Sequence, residues 1–209
     1  RGERTLDCAS VFPPDRVTVM GILNLTPDSF SDGGRLSGPD GGFDPVRLIE
    51  RADALVAGGA DILDVGGEST RPGALEVAPE VERARTEGAV AALAAHFDTP
   101  ISIDTRKAAV ARAALAAGAC IVNDVSALRF DPAMGRVVAE ADAVLVLGHA
   151  RGTPEDMQAR AHYEDVLGEV AKELEASIVL AERAGVKRDR LVIDPGIGFG
   201  KQQDANLEL

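Results

Sequence analysis

Polar side chains stand at the end of six short apolar runs in this 209-residue sequence. Each run ends in, or is closely followed by, a group that accepts hydrogen bonds: Asn24, Asp64, Asp104, Asn123 with Asp124, His149, and Asp194. Carboxylates and amides around one pocket suit a nitrogen-rich heterocycle, because each buried N–H donor left without an acceptor costs about 1–3 kcal/mol. Carboxylates would also stabilise positive charge that develops in a transition state.

A structural role is the alternative for each of these residues. Asp and Asn after a strand often cap the next helix or close an Asx-turn. We favour that role for Asp64 and Asp124, and Asp104, which precedes the tripeptide TRK, could cap the following helix. His149 lies in LGHARGTP, where a ligand contact and a loop residue satisfied by backbone are equally compatible with the sequence.

The segment GGESTRPGA at 66–74 has a different character. It combines glycines with Ser69, Thr70 and Arg71, which suits phosphate oxygens through backbone amides, a hydroxyl and a guanidinium. Asn24 offers a neutral oxygen to Mg²⁺, which binds phosphates and keeps most of its waters. A tight turn for the glycines and a surface ion pair for Arg71 are the structural alternatives.

Several other reaction classes are disfavoured by what the sequence lacks. No Ser-His-Asp or Cys-His order, H-E-x-x-H, G-x-G-x-x-G or G-x-x-x-x-G-K-[ST] occurs, which argues against acyl transfer, zinc hydrolysis and dinucleotide use. The formal net charge of -12 argues against nucleic acid and against a polybasic membrane anchor. Small molecules are the expected partners, and an anionic one would need a metal ion or a few placed Arg and Lys.

The elements that must position these residues alternate along the chain. Runs rich in β-branched residues predict strands at Val17–Leu23, Asp61–Val65, Ile101–Asp104, Cys120–Asp124, Ala143–Leu147 and Leu191–Asp194. Ala-rich periodic stretches predict helices at about Pro45–Ala57, Pro79–Phe97, Lys107–Ala117, Pro132–Ala141 and Tyr163–Ala184. A βα repeat predicts a parallel sheet, and ligand sites of such folds lie at the carboxyl ends of the strands.

Length and composition predict one domain over residues 1–209, since 45% hydrophobic content is ordinary for a globular protein. No stretch approaches the ~18 apolar residues of a membrane span. Cys8 and Cys120 have no C-x-x-C spacing, so neither a disulfide framework nor a zinc site is indicated. We expect a cytoplasmic protein without a membrane partner.

Five segments resemble, in order and spacing, the motifs of the dihydropteroate synthase family of pterin-binding barrels. They read GILNLTPDSFSDGG, DVGGESTRPGA, SIDTRKAAVARAAL, IVNDVSA and LVIDPGIGFGK. The match runs from about Val17 to Lys201. The resemblance implies a (β/α)₈ TIM barrel that joins 6-hydroxymethyl-7,8-dihydropterin diphosphate to p-aminobenzoate and releases diphosphate, in folate biosynthesis.

The resemblance also implies a role for individual residues around the pterin. Asp104, Asn123 and Asp194 would hydrogen-bond the pterin ring deep in the barrel, and the cationic pterin methylene would develop near Asp104, the catalytic carboxylate. Gly198 and Phe199 would form part of the pocket wall.

Further implied roles concern the other substrate groups. Asn24 would bind Mg²⁺, while Thr70 and Arg71 would meet the diphosphate. Three residues lie where two loops of the family close over the aminobenzoate: Pro27, Phe30 and Pro72. The resemblance further implies a homodimer and a target of sulfonamides.

Only six strand–helix units can be counted, whereas a barrel of this type usually needs about 250 residues. In the family, the last two units carry a Ser-Arg-Lys segment that contacts pterin and aminobenzoate and an Arg-x-His segment for the diphosphate. The sequence ends before those units. We therefore expect a C-terminally truncated barrel domain that is inactive by itself, and the functional prediction concerns the parent protein.

Two rival functions share the same motifs in part. A methyltetrahydrofolate-binding corrinoid methyltransferase barrel would use similar Asp and Asn residues but needs no diphosphate loop, so ESTRPG and NLTPDSF count against it. A non-catalytic synthase paralogue could keep the barrel and act in binding or assembly, and the intact loops count against that function.

Overall fold

A computed structural model describes residues 8–26, 43–71, 73–152, 156–157 and 161–209. Within these ranges the chain forms a parallel sheet of six strands: β1 Met20–Asn24, β2 Ile62–Gly66, β3 Ile101–Asp104, β4 Ile121–Asp124, β5 Val144–Gly148 and β6 Leu191–Asp194. The spatial order equals the chain order, so every crossover leads to the next strand in the same direction. This singly wound order is that of a (β/α)₈ barrel and confirms the predicted α/β class.

The helices of the described residues are α1 Cys8–Val11, α2 Pro45–Ala57, α3 Pro79–His96, α4 Ala108–Ala117, α5 Met134–Glu140, α6 Val166–Arg183 and α7 Gln203–Glu208. A 3₁₀ turn covers Arg188–Arg190. The sequence predicted α2 to α6 and missed α1 and α7, because four and six residues are too few to show helical periodicity. None of these helices combines the length and apolar character needed to cross a membrane.

Two predicted boundaries shift for local reasons. The first strand begins at Met20 rather than Val17, since the Val19 N–H donates to the Asp61 carboxylate at 2.9 Å instead of to a neighbouring strand. Helix α6 begins three residues later than predicted, because the Asp165 carboxylate accepts from the Gly168 N–H at 3.0 Å and acts as the N-terminal cap.

Apolar side chains pack in two clusters, one on each face of the sheet. The larger cluster lies between strands and helices, with Leu63 and Ile103 against Leu48 and Leu93. The smaller one contains Ile62, Ile121, Val144 and Val146, and the helix packed beside it in the described part of the chain is the short α1, through Val11. We call the face of this second cluster the inner face, because in a barrel the sheet closes around it.

Alternation along the strands decides which polar residues share the inner face. Side chains two residues apart point the same way, so Asp64 lies on the face of Ile62, Asn123 on that of Ile121, and Asp194 on that of Val192. The inner apolar cluster therefore forms a floor, and polar side chains from the strand ends lie above it.

Candidate active site

The carboxyl ends of β1 to β4 carry a row of residues at one level of the inner face. Asn24 pairs in register with Gly66, Gly66 with Asp104, and Asp104 with Asn123. A Cβ added at Gly66 would lie 3.2 Å from the Asn24 Oδ1 and 3.6 Å from the Asp104 Oδ2. The glycine thus lets an amide oxygen and a carboxylate from the two flanking strands converge over β2.

A second level lies two residues lower. Asp64 pairs in register with Ser102, and the Asn123 Nδ2 donates to the Asp64 Oδ2 at 3.3 Å. Burial raises the pKa of Asp64, while Ser102 and Asn123 act against that rise. Asp64 does not cap the next helix, whose N-cap is Ala78, and its contact with Asn123 orients that amide instead. The Asp64 Oδ1 is buried without a hydrogen-bond partner among the described residues, which leaves an acceptor for a ligand donor.

Asp104 lies among several acids. Desolvation raises the pKa of Asp104 well above its usual range, and four nearby carboxylates raise it further: Asp64, Glu82, Asp124 and Glu68. A carboxyl group in such surroundings is typical of functional sites, where a ligand donor or a developing cation can offset the repulsion between the carboxylates.

The alternative role for Asp104, as the cap of the next helix, is wrong. Lys107 occupies the N-cap position of α4 and makes no side-chain cap hydrogen bond. The Ala108 N–H donates instead to the Asp131 carboxylate at 2.9 Å. Asp104 therefore lies at the strand end without serving the helix.

Asp124 differs from its neighbour Asn123 because it lies on the outer face. Its carboxylate accepts from the Ser126 N–H and hydroxyl at 2.8 and 2.6 Å and from the Leu128 N–H at 2.8 Å. These contacts close the turn after β4 and confirm the predicted structural role of Asp124.

Asp194 ends β6 on the inner face. On β5, Val146 pairs with Asn123 and Gly148 pairs with Asp194. Asp194 therefore lies two residues nearer the carboxyl edge of the sheet than the row on β1 to β4. Its Oδ1 accepts from the Gly196 N–H at 2.8 Å, and the Phe199 N–H donates to the Gly196 carbonyl at 3.0 Å. The segment of Gly198 and Phe199 therefore turns back beside Asp194.

The loop after β2 carries the predicted diphosphate residues. Thr70 is half-buried and Arg71 is exposed. Glu68 closes the base of this loop, since its Oε2 accepts from the Val77 N–H at 2.8 Å. Thr70 and Arg71 thus follow the same sheet edge as Asn24. The loop residues Pro27, Phe30 and Pro72 lie outside the described residues, and their roles stay predictions.

A charged cluster behind this loop was not recognised in the sequence. The Lys107 Nζ lies 2.6 Å from both the Glu68 Oε2 and the Glu82 Oε2, and the Arg106 Nε donates to the Glu68 Oε1 at 2.9 Å. All four side chains are buried. The sequence signal that could have found this cluster is the charged residues directly after two buried strands, in GGEST and DTRK. Charged residues so close to a buried strand need a partner of opposite charge if they are themselves buried.

His149 and Lys201 form a second unrecognised contact. His149 is 1% exposed, with its Nε2 3.0 Å from the Glu173 Oε2 and its Nδ1 3.0 Å from the Lys201 Nζ. Burial and the Lys201 charge lower the pKa of His149 to about 4. Both ring nitrogens contact side chains, Glu173 and Lys201, and not the backbone that the sequence-based alternative invoked; these contacts favour a structural role for His149.

No group of three or more His, Cys, Asp and Glu side chains suited to a metal ion occurs in the part of the chain described. Mg²⁺ does not require one, because it commonly takes one or two protein oxygens and completes its shell with phosphate and water. The Asn24 Oδ1, directed over Gly66 at the strand ends, fits that donor chemistry.

The parallel sheet and the inner-face acceptors are those expected of a barrel with its ligand site at the strand ends. The chain belongs to the family of pterin binding enzymes, whose model matches residues 20–209. Within that family the similarity is to dihydropteroate synthases. The dihydropteroate synthase of Synechocystis sp. is 45% identical over 194 residues, which cover 93% of this chain and 65% of the relative.

Solved structures give the same result. The Yersinia pestis dihydropteroate synthase with a sulfonamide drug complex superposes with a TM-score of 0.86 at 39% identity, covering 93% of this chain and 68% of that one. The Xanthomonas albilineans dihydropteroate synthase with 4-aminobenzoic acid superposes with a TM-score of 0.81 at 45% identity, covering 93% and 67%. The chain thus spans about two thirds of the length of these relatives, and the resemblance seen in its motifs is confirmed.

Proposed function

We propose that this protein acts as a dihydropteroate synthase, condensing 6-hydroxymethyl-7,8-dihydropterin diphosphate with p-aminobenzoate to give 7,8-dihydropteroate and diphosphate. The observation that carries the proposal is the row of inner-face acceptors at the strand ends, with Asp104 and Asn123 in register and Asp64 keeping an unpartnered oxygen beneath them. A flat ring with several N–H donors would give these acceptors hydrogen-bond partners, whereas burial without a partner would cost free energy.

In this proposal Asp104, Asn123 and Asp194 hold the pterin ring, and Gly198 and Phe199 form one wall. The C–O bond to the diphosphate breaks as positive charge develops on the exocyclic methylene carbon. The Asp104 carboxylate lies where it would stabilise that charge. The amine nitrogen of p-aminobenzoate then forms the new C–N bond and loses its proton to solvent, and no covalent enzyme intermediate is needed.

The departing diphosphate needs its own neutralisation, since the chain carries a formal net charge of -12. Thr70 and Arg71 would supply a hydroxyl and a guanidinium from the loop whose base Glu68 closes. Asn24 would hold Mg²⁺, which when bound offsets the charge of the leaving group. The carboxylates on the inner face would serve the pterin side only.

The remaining parts of the proposal concern aminobenzoate and assembly. Pro27, Phe30 and Pro72 would close over the aminobenzoate. One relative was solved with 4-aminobenzoic acid and another with a sulfonamide drug complex, which supports ligands of these two kinds for this protein. We also propose a cytoplasmic homodimer, on the family resemblance, which sedimentation of the purified protein would check.

Isothermal calorimetry on the full-length parent protein with the dihydropterin diphosphate, with and without Mg²⁺, tests the proposal. We expect binding that tightens with Mg²⁺ and turnover when p-aminobenzoate is added. Pterin binding that is indifferent to Mg²⁺ would favour the corrinoid methyltransferase. Binding without turnover, or no binding at all, would favour a paralogue that acts in binding or assembly.

A further inference from the structure

Lys201 lies two residues after Phe199, and only 5% of its surface is exposed. Its ammonium group contacts three backbone carbonyls, those of Gly196 at 2.9 Å, Phe199 at 3.1 Å and His149 at 3.2 Å. An ammonium group has three hydrogens and no acceptor, so these three carbonyls and the His149 Nδ1, at 3.0 Å, share its three hydrogens. Lys201 therefore ties the end of β5 to the loop after β6.

The contact with Gly196 leads directly to Asp194. The Gly196 carbonyl accepts from Lys201, while the Gly196 N–H donates to the Asp194 Oδ1 at 2.8 Å. Gly196 also has a φ of +68°, and a Cβ there would lie 1.9 Å from the His149 carbonyl oxygen. This close approach needs glycine, and it leaves the peptide around Gly196 little freedom once Lys201 is in place.

His149 fixes the lysine from the other side. The Glu173 carboxylate next to the His149 Nε2 accepts hydrogen bonds, and the Lys201 ammonium next to the Nδ1 donates one. One neutral tautomer satisfies both partners, with the hydrogen on Nε2. Glu173 in turn accepts from Arg129 at 2.9 Å, so the chain of contacts ends on helix α6 and on the loop after β4.

We propose that Lys201 is a positioning residue for the pterin site, which holds the Gly196 peptide so that the second oxygen of Asp194 faces the ring and Phe199 keeps its place in the wall. The inference rests on the proposed function and assigns a role to a residue that would not itself contact the substrate. It predicts that loss of the ammonium group weakens pterin binding in a protein that is still folded.

The Lys201→Met variant tests this inference in the whole protein. We expect the Kd for the dihydropterin diphosphate to rise about 10-fold or more, while the KM for p-aminobenzoate changes by less than about 3-fold. Lys187→Met is the matched control, because Lys187 is exposed and pairs with Asp142 at 2.9 Å far from the site. A lysine with only a structural role would lower the thermal midpoint and leave the Kd of the folded fraction unchanged, which would overturn the inference.

A pair of His149 variants decides the matter if Lys201→Met does not fold. His149→Asn keeps an acceptor near the Nδ1 position, facing Lys201, whereas His149→Gln keeps a donor near the Nε2 position, facing Glu173. We expect His149→Asn to bind the dihydropterin diphosphate more tightly than His149→Gln. Equal affinities would overturn the inference. A wild-type protein that does not bind the compound at all would refute the proposed function, and this inference with it.

Discussion

Two groups of acidic side chains lie around the carboxyl ends of β2 and β3, and they differ in how their charge is compensated. Asp64 and Asp104 lie on the inner face and form no ion pair within the described part of the chain, and burial raises the pKa of both. Glu68 and Glu82 lie behind the loops, and Lys107 contacts both. Burial would raise the pKa of Glu68 as well, but hydrogen bonds from Lys107 and the Val77 N–H lower it.

This difference in compensation distinguishes the structural carboxylates, Glu68 and Glu82, from those of the candidate site, Asp64 and Asp104. A buried carboxylate with a cation and backbone donors contributes to one fixed loop conformation, whereas a buried carboxylate without them costs stability and stays ready to accept from a ligand.

The largest effect is expected from removing the shared cation. Lys107→Met would leave Glu68 and Glu82 buried without their common partner, so we expect the free energy of unfolding to fall by about 3–5 kcal/mol in urea denaturation. Arg112→Met is the control, since Arg112 pairs with Glu140 at 2.9 Å on the surface and should cost less than about 1 kcal/mol. Similar losses in the two variants would show that the cluster is not compensated by Lys107.

Removing one uncompensated carboxylate should affect turnover instead of folding. We expect Asp104→Asn to lower kcat by about 10²–10³-fold, because the developing cation loses its nearest charge, without lowering the thermal midpoint at neutral pH. Steady-state kinetics with both substrates provide the measurement, with Asp98→Asn on the surface as the control. A near-normal kcat would remove the catalytic role of Asp104.

A third variant tests the proposed contact between Arg71 and the diphosphate. Arg71→Ala should raise the KM for the dihydropterin diphosphate about 10-fold, which corresponds to one charge-assisted hydrogen bond. The affinity for the dihydropterin without its diphosphate should stay the same. Arg83→Ala, on the exposed face of α3 beside Glu87, is the control. If both compounds lost affinity equally, Arg71 would have no phosphate role.

The smallest effect is a pH dependence of stability. Since the folded state raises the pKa of Asp104, ionisation of this group destabilises the fold as pH rises. Asp104→Asn should therefore gain stability over wild type with rising pH, and should match wild type below about pH 3.9, where Asp is protonated even when unfolded. Thermal midpoints measured across pH check this expectation.

Asp61 gives a control with the opposite sign. The Val19 N–H and then Arg16 lower the pKa of Asp61. Asp61→Asn should therefore be less stable than wild type at neutral pH, with a difference that shrinks in acid. Differences that do not vary with pH in either variant would contradict the assigned shifts.

Much of the fold and part of the site could be predicted from the sequence. The apolar periodicity located all six described strands and helices α2 to α6. The strand-end pattern included Asp104, Asn123 and Asp194 among seven residues, and the family resemblance singled out these three. The two short helices were missed because they lack a period, and Lys201 was missed because its partners are backbone carbonyls, which leave no mark in the sequence.

The sequence by itself determined the alternation of strands and helices, the chemistry at the strand ends and the family motifs, because these depend on residues close together in the chain. Only the tertiary structure decided that Asn123 faces inward while Asp124 faces outward. It also decided that Glu68 contacts a lysine 39 residues away, whereas Asp104 contacts no lysine among the residues described. Strand register and crossover packing set those distances, and the energy of a buried charge depends on distance in space.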